Sequence, residues 1–127
     1  MSLWPAESPI PHHESVLHAL LANQSAPGIL FGSGLHGPER YVSRDELLDG
    51  ASRIAHTLRD LGIGPGSRIA ILLPTSPLFV QSVFASWMVG AAFAAIAPPA
   101  ATDPQRSGAL LASLDAVAPA LVLGLDP

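Results

Sequence analysis

Apolar positions recur along this chain at distinct spacings, and each spacing predicts a different element. The clearest is helical. Leu47, Leu48, Ala51, Ile54, Ala55, Leu58 and Leu61 fall on one face, and Asp45, Asp49, Ser52, Arg53, His56, Arg59 and Asp60 on the other. Ser43-Arg44-Asp45-Glu46 has the pattern of a capping box, with Ser43 as N-cap and Glu46 reaching back. Gly62 stands where a C′ glycine ends a helix. Gly50 in its interior costs about 1 kcal/mol against alanine, which points to close packing there. Gly64-Pro65-Gly66 then has the residues of a type II turn.

Beyond this turn the apolar runs stop alternating. Arg68 to Leu73 reads as a parallel strand covered on both faces, ended by Pro74. Ser76 can cap the next helix with Pro77 at its first position. That helix runs to about Val89 and is apolar nearly all round, so it is predicted to be buried. Ala92 to Ala97 reads as a second buried strand. Asp103 and Pro104 open a helix with Leu110, Leu111, Leu114 and Val117 on one face, closed by Pro119. Ala120 to Gly124 reads as a third strand. Upstream, His13 to Ala22 reads as a short helix, and Ile29-Leu30-Phe31 with Arg40-Tyr41-Val42 as a hairpin joined through Gly32 to Pro38. Met1 to Pro11 reads as an irregular arm. The fold class is α/β: a hairpin and a helix, then a βαβαβ unit. Right-handed crossovers make its sheet parallel, as part of a larger doubly wound subdomain. Residues 1–14 are assigned to the arm and 15–127 to the domain portion.

Composition narrows the function. Charged residues are 13% of the 127, about half the usual share, so part of this surface is expected to be covered. The net charge is −4 with no basic stripe, which argues against nucleic acid as a partner. No cysteine is present, so there is no disulfide frame or thiol nucleophile, and a cytoplasmic location fits. Met1 to Pro11 has neither the basic nor the apolar region of a secretory signal. Ile69 to Thr102 carries no charge, and Leu78 to Ala97 is long enough to span a bilayer. However, Pro74, Pro77, Pro98 and Pro99 bound it, Gly90 divides it, and Gln81, Ser82 and Ser86 would face lipid. The strand–helix–strand reading is preferred, and no membrane is expected.

Candidate motifs reduce to structure. Gly32-Ser33-Gly34-Leu35-His36-Gly37 matches G-x-G-x-x-G, but Pro38 and a strand follow where a dinucleotide site needs a helix. Gly62 to Gly66 precedes a strand, the wrong order for a phosphate loop. His13 and His18 stand five apart, not the four that a zinc helix needs; Glu14 and His18 have the spacing of an i,i+4 pair. His36 reads as a turn residue and His56 as a solvent-face one. No G-x-S-x-G elbow is present. Asp45, Glu46 and Asp49 suit a helix start. Asn23-Gln24-Ser25 is a sequon by pattern only, and Trp87 and Met88 read as core. No catalytic, cofactor-binding or metal residue is assigned.

The element order and one long stretch resemble a known family. The capped helix leads into LRDLGIGPGSRIAILLPTSPLFVQSVFASWMVGAAFAAIAPP. This is similar to the N-terminal subdomain of adenylate-forming enzymes: acyl-CoA synthetases, fatty acyl-AMP ligases and adenylation domains of peptide synthetases. The matching positions are Leu58, Leu61, Gly62, Ile63, Gly66, Arg68, Ile69, Leu73, Pro74, Ser76, Phe79, Gly90, Ala91 and Pro98. Further on, Arg106, Leu110, Leu111, Ala116, Pro119 and Leu121 to Leu123 match a later segment. Ser67 and Leu78 stand where the family usually has acidic residues, and Ala97-Pro98-Pro99 is nearer the exit of fatty acyl-AMP ligases.

The resemblance implies a parent enzyme that joins a carboxylate to ATP, giving acyl-AMP and pyrophosphate, with Mg as cofactor. The acyl group then passes to the thiol of coenzyme A or a carrier protein. The family uses a Ser/Thr/Gly-rich phosphate loop ending around a Lys, and a second Lys. This chain has no lysine, all six of its basic residues being arginine. It is expected to stop before that loop and to be scaffold, inactive alone and holding no cofactor. Its partner is then the remainder of the parent. Without it, an exposed apolar patch or a dimer is expected. The alternative is a stand-alone α/β module docking to a synthetase or carrier partner.

Overall fold

A computed structural model describes residues 16–32, 37–98 and 104–125, leaving aside the side chains of Pro104, Arg106 and Ser107. Helix α1 spans Val16–Ala22 and buries no residue, with Val16 66% exposed. The predicted start at His13 lies outside the described residues. What holds α1 is Arg44, whose guanidinium donates to the carbonyls of Leu20 and Leu21, each at 3.0 Å. Strands β1 (Ile29–Gly32) and β2 (Glu39–Val42) pair antiparallel, Ile29 opposite Val42. Gly28 leads into this hairpin with its N–H on the Tyr41 hydroxyl, at 2.9 Å.

Helix α2 (Arg44–Asp60) begins as predicted: the Ser43 hydroxyl accepts from the Glu46 N–H at 3.1 Å. Among the described residues only this half of the capping box forms; the Glu46 carboxylate makes no return bond. Leu47, Ala51, Ala55 and Leu58 are buried. Leu61 is not, at 60% exposed, because it sits at the C-cap where the helical stripe has ended. Gly62 follows with φ +81°. The turn after it is type II: Gly66 has φ +87°, and the Ser67 N–H bonds to the Gly64 carbonyl at 2.9 Å.

The sheet has order β4-β3-β5, all parallel. β3 (Arg68–Leu72) is central, and Ile69, Ala70 and Ile71 are each fully buried. Burying three consecutive residues requires cover on both faces. Each isoleucine contributes about 1.5–3 kcal/mol. The predicted burial of the second strand, Ala92 to Ala97, fails. β4 (Ala92–Ala95) and β5 (Leu121–Gly124) are half-buried to exposed because each forms an edge of the sheet.

Helix α3 (Pro77–Val89) is capped by Ser76, whose hydroxyl accepts from the Phe79 N–H at 3.2 Å, with Pro77 at the first position. It ends at Gly90, φ +77°, and the Ala91 N–H closes back on the Ser86 carbonyl at 3.0 Å. Ser82 and Ser86 are buried, and their hydroxyls donate to the Leu78 and Ser82 carbonyls, each at 2.8 Å. They are therefore satisfied inside the helix and free to pack. Trp87 lies in the core fringe as predicted, 5.7 Å from the Phe84 ring and 6.2 Å from Phe93. α2 packs on α3 at Gly50, where an added Cβ would fall on the Gln81 side chain.

Helix α4 (Pro104–Val117) has Leu110, Leu114 and Val117 half-buried, but Leu111 is 64% exposed, against the predicted face. It ends at Ala118, φ +47°, before Pro119. The predicted Asp103 cap lies outside the described residues. Among those residues, no helix is long and apolar enough to cross a membrane: Gly90 and β4 divide the uncharged stretch.

Candidate functional site

Open parallel sheets bind ligands outside the carboxyl ends of their strands. Here those ends are formed by Leu73-Pro74-Thr75-Ser76 after β3, Ile96-Ala97-Pro98 after β4, and Leu125 after β5. No described residue among these is charged. Ser76 is committed to its helix, since its hydroxyl also donates to the Pro74 carbonyl at 2.9 Å. A cavity at this rim, about 120 Å³, is lined by Ile54, Leu73, Leu78, Ser82, Leu123 and Gly124. Its one polar side chain, Ser82, already has its partner.

The described arginine side chains lie elsewhere or are occupied. Arg68 opens β3 at the amino end, and Arg40 lies on the exposed β2. Arg53 and Arg59 lie on α2, and Arg59 donates to the Met88 carbonyl at 3.3 Å. Arg44, at the start of α2, is held by Leu20, Leu21 and the Asp45 carboxylate at 2.9 Å. A triphosphate with its magnesium needs convergent donors and cations. The described residues at this rim do not fit that group.

Gly32 and Gly37 flank a hairpin that continues into β2, with no helix opening after them. Gly62 to Gly66 is a helix stop and a turn. His56 is exposed on α2. His12, His13 and Glu14 lie outside the described residues, and among the described ones no group of three His, Cys, Asp or Glu side chains could hold a metal. Two features were missed from sequence: a cavity of about 370 Å³ between α1 and α3, lined by Val16, Leu17, Trp87, Gly90 and Ala91, and one of about 310 Å³ between α2 and β5. Both depend on tertiary packing that no local pattern encodes.

The β4-β3-β5 sheet with its capped helices carries the likeness, and comparison with known proteins decides it. The profile of the AMP-binding enzyme family matches residues 23–122. The chain belongs to that family. It is 31% identical over 109 residues to pyochelin synthetase PchE of Pseudomonas aeruginosa, covering 72% of this chain and 8% of that one. It is 34% identical over 106 residues to malpibaldin synthetase of Mortierella alpina, covering 83% of this chain and 2% of that one. Among solved structures, a fatty acyl-adenylate ligase from a study of the E. coli and L. pneumophila enzymes superposes with TM-score 0.71 at 27% identity, over 84% of this chain and 20% of that chain. CmiS6 superposes with TM-score 0.66 at 27% identity, over 98% of this chain and 33% of that chain. This AMP-binding chain thus spans a third or less of these relatives, and the match is consistent with the family's N-terminal subdomain. Enzymes of this family use ATP and magnesium.

Proposed function

We propose that this chain serves as scaffold within an ATP-dependent acyl- or aminoacyl-adenylating ligase and supplies no catalytic group of its own. The observation that carries this reading is the rim just described. At the carboxyl ends of the parallel strands, the described residues offer apolar side chains, prolines and a committed serine. The α-phosphate of a reacting ATP develops charge that only positioned donors or cations can stabilise. Those donors, the acyl pocket and the thiol acceptor's site belong, on this reading, to the rest of the enzyme.

The test is ATP–pyrophosphate exchange across a panel of carboxylic and amino acids, run on the isolated chain and on the full-length gene product. The isolated chain is expected to catalyse no exchange, and the full-length product to exchange with at least one acid. Exchange by the chain alone, or micromolar ATP binding to it by calorimetry, overturns the scaffold reading. A full-length product that exchanges with none of the panel and carries no Ser/Thr/Gly-rich phosphate loop after Pro127 favours the stand-alone interaction module instead.

A further inference from the structure

No further inference is drawn: the strongest candidate, the cavity of about 370 Å³ between α1 and α3 lined by Val16, Leu17, Trp87, Gly90 and Ala91, carries none because nothing among the described residues shows what occupies or covers it.

Discussion

Gly50→Ala asks whether α2 and α3 meet backbone to backbone or through one movable side chain. Inside a helix, alanine is favoured over glycine by about 1 kcal/mol. Against this, a Cβ at Gly50 would land on the terminal amide of Gln81, not on main chain. That amide donates to the Glu46 carbonyl through a long bond of 3.3 Å near solvent. Swinging it away loses about 0.5–1 kcal/mol. The two terms nearly cancel, so Gly50→Ala is expected to change stability by less than about 0.5 kcal/mol, on the balance of. In a Gln81→Ala background the obstacle is gone, and the same substitution is expected to stabilise by about 1 kcal/mol. The coupling of about 1 kcal/mol is what a double-mutant cycle reads. Urea unfolding followed by far-ultraviolet circular dichroism resolves it, since it shifts the midpoint by about 0.5 M. A loss above about 2 kcal/mol in both backgrounds would refute the reasoning, because an immovable backbone contact would then set the limit.

Three further outcomes are expected. Ser86→Ala should change the thermal midpoint little, because the Ser82 carbonyl that loses the hydroxyl keeps its helical partner, whereas Ser86→Val at this fully buried site should cost about 1–3 kcal/mol by calorimetry. Gly28→Ala should cost at least about 2 kcal/mol in urea, since its Cβ would run into the Val42 carbonyl and the Ser43 backbone, which cannot give way as a side chain can. Arg44→Ala should speed chymotryptic cleavage within Val16–Ala22 more than tenfold with an unchanged global unfolding midpoint, because α1 buries no residue and the guanidinium holds its last carbonyls.

What was legible in the sequence was local. Ser43, Ser76 and Pro77 start helices, and Gly62 and Gly90 stop them, because caps and left-handed turns are set by a few adjacent residues. The steric reading of Gly50 held for the same reason that its energetic cost was visible: a glycine inside a strong helix needs a cause. Strand burial was not legible. Arg68–Leu72 and Ala92–Ala95 are both uncharged in their interiors, yet only the first is covered on both faces, and which strand is central depends on an order, β4-β3-β5, that no window of sequence contains. Leu61 and Leu111 were misplaced because helical spacing names a face but not where the neighbouring element stops. The β5 flank escaped for the reason β4 did: it joins Ile54 to Leu123 across some seventy residues through the sheet.

Two positions where the chain departs from its family's usual pattern have different physical weight. Ser67 replaces an acidic residue, yet its hydroxyl accepts from the Gly64 N–H at 3.1 Å while its own N–H closes the turn at 2.9 Å. The turn needs an acceptor there and still has one; only a charge beside Arg68 is gone. Leu78 also replaces an acidic residue, at the second position of α3, where a carboxylate would gain about 0.3–1 kcal/mol from the helix dipole. Leucine forgoes that and stands 41% exposed, on the wall of the cavity that Leu123 and Gly124 share. In the free chain this exchange is a net loss. It is offset only if apolar cover reaches Leu78, because finishing the burial of a leucine returns about 25 cal/mol for each Å² removed from water. The departure at Ser67 thus leaves the turn as it was, and the one at Leu78 exchanges a helix-dipole contribution for apolar surface on the wall of that cavity.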